Sequence, residues 1–197
     1  MDAEKAIMTR RSTRRFLDKP LDDTLLKEII EAGRYAPSGG NSQTNRFFVI
    51  SDKKVLDMLT EIVQDAFRKM EVYEGMYKSL ATSITLSKTG KYVFHYNSPC
   101  LIVIANKKDY GNNLADVSCA LENMMIYANC KDLGSCWINQ LKWLNENEKV
   151  LELFRSFGMK EDERIYGALA LGYPDSVDGL PERRQVERKG NEVIYIK

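Results

Sequence analysis

Arg10-Arg11-Ser12-Thr13-Arg14-Arg15 and Ala36-Pro37-Ser38-Gly39-Gly40-Asn41-Ser42-Gln43 bracket one amphipathic stretch near the start of this chain. The first cluster is a dense basic turn. The second is small, polar and glycine-rich. Arginine grips anion oxygens with two parallel charge-assisted hydrogen bonds, and glycine lets backbone N–H groups approach closely. Side by side, the clusters point to a site for a phosphorylated ligand. Each also has a plainer reading. Arginines following a short helix suit its dipole, and Ser38 to Asn41 can be a loop that simply ends a helix.

Outward from these clusters the pattern alternates between helix and strand. Residues 3–9 read as a short helix running into the basic turn. Asp22 is placed to cap a helix with apolar positions at Leu25, Leu26, Ile29 and Ile30, stopping before Pro37. Residues 46–51 form a β-rich run, and 53–70 show helical spacing at Val55, Leu59, Ile62, Val63, Ala66 and Phe67. Residues 100–106 predict a second strand. The stretch 113–133 predicts a helix apolar on more than one face, hence central or at a subunit interface. Asp116, Glu122 and Asn123 interrupt it and need partners if buried. Residues 135–139, 165–172 and 192–196 predict three more strands, with a helix over 145–157. The total is about five strands and five or six helices in one domain spanning 1–197, an α+β pattern. Segment 71–98 is aromatic-rich without a clean period. It reads equally as a lid over a pocket or as a helix plus loop.

Bulk properties narrow the function. With 29 Lys plus Arg against 28 Asp plus Glu, the net charge is +1. Such a chain has no global field to draw in nucleic acid or an acidic membrane, so neither is an expected partner. Basic residues do gather at 9–19 and 183–189, either converging on one anion or forming two solvated surfaces. No apolar run is long enough to span a bilayer, and the first residues lack the apolar core of a secretory signal. The four cysteines form no C-x-x-C pair, so no metal site is expected. A reduced, cytoplasmic protein follows. There is no G-x-G-x-x-G after a strand and no Walker loop. The single histidine, His95, has no G-x-S-x-G to accompany it, which disfavours a hydrolase.

Four blocks, in order and spanning almost the whole chain, resemble the FMN-dependent nitroreductase family. They are Arg10-Arg11-Ser12-x-Arg14-x-Phe16, Ala36-Pro37-Ser38-x-x-Asn41-x-Gln43, Leu133-Gly134-Ser135-Cys136-Trp137-Ile138 and Ala168-Leu169-Ala170-Leu171-Gly172-Tyr173-Pro174. The resemblance implies an α+β sandwich, a central and mostly antiparallel sheet flanked by helices, working as a homodimer with FMN sites at the interface. Arg10, Arg11, Ser12 and Arg14 would hold the FMN phosphate, ribityl chain and pyrimidine edge. Pro37, Ser38, Gly39 and Asn41 would come from the other subunit. Trp137, Ile138 and Asn139 would lie near the isoalloxazine ring, with a backbone N–H near flavin N5. Arg184, or its neighbour Arg183, would reach the phosphate. His95 and Tyr96 are candidates for the ribityl side and the substrate pocket. The family often has Pro and an aromatic where this chain has Thr44-Asn45.

The implied activity is ping-pong hydride transfer from NADH or NADPH through FMN to a small nitroaromatic or quinone acceptor. No side chain need act as general acid, because the cofactor carries the redox chemistry. The alternatives are a more specialised flavin reaction, a dehalogenation or dehydrogenation, and a non-catalytic flavin-binding protein.

Overall fold

The computed structural model describes all 197 residues. Its elements are α1 (Ala3–Thr9), α2 (Asp23–Arg34), β1 (Arg46–Ile50), α3 (Lys53–Arg68), α4 (Lys78–Lys88) and β2 (Cys100–Lys107), followed by α5 (Asn113–Cys130), β3 (Gly134–Ile138), α6 (Gln140–Trp143), α7 (Glu148–Ser156) and β4 (Glu163–Gly172). A single turn of 3-10 helix covers Gly39–Asn41.

The sheet is antiparallel throughout, in the order β1-β2-β4-β3. Its two central strands are buried on both faces, and the side-chain alternation of a strand sends neighbours to opposite layers. Leu101, Val103 and Ala105 of β2 join α3, α4, α6 and α7 in one core. Cys100, Ile102 and Ile104 join α2 and α5 in the other. Along β4 the ladder steps from Gly167 opposite Ile104 to Ile165 opposite Ala105, leaving Tyr166 as a bulge. Ile165 and Ala168 therefore face the same core, three positions apart.

Caps fix the helix starts. Asp22 accepts hydrogen bonds from the backbone N–H groups of Thr24 and Leu25, and Asp52 accepts one from Lys54 at 2.8 Å. In α5, buried Asp116 is hydrogen-bonded, Asn123 donates to the Ala32 carbonyl at 3.1 Å, and Glu122 pairs with Arg10.

Two sequence expectations fail. Residues 192–196 form no strand, so the sheet has four strands rather than five. Their β-propensity is real, but a strand exists only against a neighbour that completes its ladder. No strand of the chain lies beside them, and Val193, Ile194, Tyr195 and Ile196 are 71–96% exposed. The helix count is seven, because four-residue α6 is too short to show a period and α4 lies within the irregular segment. That segment is a helix plus loop. Ile84 of α4 and Phe94 of the loop are buried in the core shared with α3, which leaves it no freedom to act as a lid over its whole length.

Candidate functional site

The basic turn is held against the outer edge of β3. Ser12 bridges Ser135, and the Thr13 N–H donates to the Ser135 carbonyl at 2.9 Å. Contact is close enough that a Cβ at Gly134 would sit 2.6 Å from the Thr13 side chain. Further on, Phe16 bridges Pro174. Because successive backbone groups of a strand point to alternate sides, Trp137 turns its N–H and carbonyl to the same open edge as Ser135. Beyond the bridge at Ser135 the edge continues to the end of β3 at Ile138, roughly 10 Å at 3.3 Å per residue.

The arginines of the turn differ in their circumstances. Arg10 is paired with Glu122, Nε to Oε1 at 3.5 Å. Arg14 lies over the Tyr96 ring, 5.8 Å from its centroid. Arg11 donates one hydrogen bond, from Nη1 to the Arg10 carbonyl at 2.6 Å. Its Nε and Nη2 are buried without any acceptor. Buried polar groups are otherwise almost always satisfied, so these two donors on one cation are available to an acceptor that the chain itself does not supply. Cys136 lies beside this turn; burial pushes its thiol pKa up, while Arg14 and a hydrogen bond from Ser12 pull the other way.

On β3, Ile138 is buried in the core, so only its backbone is available to a ligand. Trp137 is half-buried, and its indole N–H donates to Asn139 Oδ1 at 2.9 Å. The buried Gln140 that follows donates to the Tyr92 hydroxyl at 2.7 Å, tying this corner to the loop after α4.

The Pro37-to-Asn41 loop stands elsewhere. Its Gly39 N–H donates to Asp116 Oδ1 at 3.1 Å in the first turn of α5. Asp116 and Glu122, the partner of Arg10, are six residues apart, roughly 9 Å along the helix and on different faces. The two clusters that the sequence sets side by side thus dock on separate parts of α5 within one chain. Ser38 accepts from the Gln43 N–H at 3.1 Å, and Asn41 has φ +55°.

Of the late arginines, Arg183 lies near the basic turn. It donates to the Oδ1 and carbonyl of Asn129 and pairs with Asp132, while Asn129 Nδ2 donates to the Ala6 carbonyl and Thr9 Oγ1 at the end of α1. Arg184 is exposed and pairs only with Glu182.

His95 is buried. Its Nε2 lies 3.1 Å from the Thr60 hydroxyl and its Nδ1 has no partner. Burial pushes its pKa down to about 4, so the ring is neutral near pH 7. It lines a cleft of about 350 Å³ with Phe16, Lys53, Asp57 and Asn97. Tyr96 and Asn97 hold left-handed backbone here, φ +57° and +54°. No group of three or more His, Cys, Asp or Glu side chains could hold a metal ion, and no helix is long and apolar enough to cross a membrane.

Asp116 and Tyr110, which anchor the glycine loop, went unread as site residues. The one available signal was a carboxylate inside an apolar helix.

Residues 7–173 match the model of the nitroreductase family. A protein of Archaeoglobus fulgidus with the provisional name NADH dehydrogenase/NAD(P)H nitroreductase is 28% identical over 86% of this chain and 84% of its own. Nitrobenzene nitroreductase of Ectopseudomonas oleovorans is 24% identical over 90% and 88%. The FMN-bound nitroreductase structure from Bacteroides fragilis superimposes with a TM-score of 0.85 at 29% identity, covering 99% of each chain.

Proposed function

The chain belongs to the nitroreductase family, and we propose that it is an FMN-dependent oxidoreductase that takes electrons from NADH or NADPH and delivers them to a small nitroaromatic or quinone-type acceptor. The observation that carries the reading is the pair of buried, unpartnered donors on Arg11 beside the open edge of β3. Relatives named NAD(P)H nitroreductase and the FMN-bound neighbour support it.

FMN, when bound, would supply the redox chemistry between the nicotinamide and the acceptor. The protein binds and orients. Arg11 offers two N–H groups to the phosphate, and Arg10, Ser12 and Arg14 line the same turn. The outward backbone of Trp137 would be available to the ring, and the Trp137–Asn139 hydrogen bond holds that corner. Fixed cations and N–H dipoles favour the negative charge that reduction places on the cofactor. Arg183, already at the end of α1 through Asn129, is better placed than Arg184 to add charge to the turn. His95, neutral near pH 7, would border the acceptor side together with Tyr96.

The protein works as a cytoplasmic homodimer of one domain per chain, with Pro37, Ser38, Gly39 and Asn41 completing the partner's site. Two observations support association. The loop docks away from its own basic turn. The edge strand β1 leaves an apolar groove at Phe47, Val49, Val55 and Phe157, while Val193 to Ile196 stand exposed with nothing beside them.

The test is an anaerobic absorbance spectrum of the purified protein before and after NADH or NADPH. A yellow protein that bleaches supports the reading, and the faster donor names the coenzyme. Bound flavin that neither donor reduces points instead to a flavin carrier. A protein that takes up no FMN overturns the site.

A further inference from the structure

Asp116, in the first turn of α5, is 4% exposed and forms no ion pair. Its oxygens are taken up by the glycine loop and by Tyr110. Oδ1 accepts the Gly39 N–H at 3.1 Å. Oδ2 accepts the Tyr110 hydroxyl at 3.0 Å, and that hydroxyl lies equally close, 3.0 Å, to the Gly39 carbonyl. Ser42 Oγ donates to the Tyr110 oxygen at 3.0 Å, with Asp116 Oδ2 at 3.4 Å. The Asp116 carbonyl accepts from Asn45 Nδ2 at 3.2 Å, so both ends of the loop are tied to one residue. Fit is tight. A Cβ on Gly39 would lie 2.1 Å from Asn112 Nδ2 and 2.6 Å from the Tyr110 hydroxyl.

Between these anchors the backbone is held in a conformation that it does not adopt unaided. Gly40, Asn41 and Gln43 have φ of +58°, +55° and +49°. Two of them are not glycine, and left-handed backbone is unfavourable for such residues without outside support. The loop nonetheless spends no side chain on its own core, since none of Gly39, Gly40 and Asn41 is buried. A carboxylate taken out of water only to fix an exposed loop serves whatever the loop touches.

We propose that Asp116, acting through Gly39 and Tyr110, is a positioning residue that sets the Ser38-to-Asn41 loop for contact with the flavin bound by the partner subunit. This rests on the cofactor reading above. It makes no demand on the carboxylate's charge, only on its two acceptor positions and their spacing.

The test compares FMN binding to the full-length protein with Asp116→Ala, Asp116→Asn and Tyr110→Phe, read by quenching of flavin fluorescence, by the visible spectrum of the bound flavin and by its midpoint potential. Asp116→Ala is expected to weaken FMN by at least about tenfold and to shift the flavin band and potential, because the loop is released. Asp116→Asn is expected to stay within about threefold of the unmutated protein, since its amide oxygen still accepts from Gly39 and its NH2 can donate to the Tyr110 oxygen. Tyr110→Phe keeps the carboxylate and removes one anchor, so it reports an intermediate loss even where Asp116→Ala folds poorly. Unchanged affinity, spectrum and potential in Asp116→Ala and Tyr110→Phe, with only melting temperature lowered, overturns the inference in favour of a purely structural role. So does an Asp116→Asn variant as impaired as Asp116→Ala. Failure of the unmutated protein to take up FMN overturns the cofactor reading itself, and this inference with it.

Discussion

Replacing Arg11 by methionine should move two quantities in opposite directions. Arg11 makes one hydrogen bond, to the Arg10 carbonyl, and buries two N–H groups that no protein acceptor meets. A buried donor left unsatisfied costs about 1–3 kcal/mol, whereas an ordinary hydrogen bond contributes about 1 kcal/mol. Methionine has similar length and no donors, so Arg11→Met removes two penalties and one bond. The apo protein should be unchanged or more stable by about 1 kcal/mol or more. With FMN bound, the same two groups are read as charge-assisted donors to phosphate, each worth about 1.5–3 kcal/mol. Their loss should raise the FMN dissociation constant by roughly 100- to 10,000-fold, at 1.4 kcal/mol per factor of ten. Chemical denaturation of the apo forms and fluorescence titration with FMN measure the two effects on the same preparations. A variant that is clearly less stable than the parent without FMN, or that binds FMN as well as the parent does, refutes the reasoning.

Two further outcomes follow from the geometry. Gly39→Val forces its Cβ against Asn112 and the Tyr110 hydroxyl. Exposed Asn112 can swing aside but the anchored tyrosine cannot, so the loop should shift and FMN affinity fall by about tenfold or more with secondary structure by circular dichroism retained. His95 has its pKa lowered in the folded protein to about 4 from 6.5, so the unfolded chain takes up the proton first as pH falls. Stability from this group is fully present above pH ~6.5 and is lost as pH drops towards 4. Between pH 7.5 and 4.5 the unmutated protein should lose about 2–3 kcal/mol more than His95→Gln in urea denaturation; parallel losses would show that burial does not hold the ring neutral.

The parts of this fold that were legible in the sequence are those fixed by local chemistry. The unbroken apolar run of β2 reads as a strand because both its faces are covered. Asp22 caps a helix where its spacing places it. Sheet order was out of reach, because β4 inserts between β2 and β3 through contacts distant along the chain. The segment 192–196 shows the same limit from the other side: its composition favours a strand, and the chain provides nothing to pair with it. Within the site, the residue types were readable and their circumstances were not. Nothing in Arg10-Arg11 says that one cation is paired with Glu122 while the other is left with free donors. Nothing in Arg183-Arg184 says that the first is drawn to Asn129 and the second into solvent. These distinctions arise from packing.

That each flavin site is assembled from the basic turn of one chain and the glycine loop of another is tested most directly by complementation. Arg11→Met and Gly39→Val chains, carrying different affinity tags, are mixed under conditions that exchange subunits, and the mixed dimer is isolated. Its FMN content and NAD(P)H oxidation are then measured at an FMN concentration where neither variant alone is loaded. If the walls come from different chains, one of the two sites in the mixed dimer pairs an intact turn with an intact loop, and about half of the unmutated protein's FMN content and activity returns. If both walls belong to one chain, every site in the mixed dimer keeps a defect. A mixed dimer as empty and inactive as its parents would contradict the account.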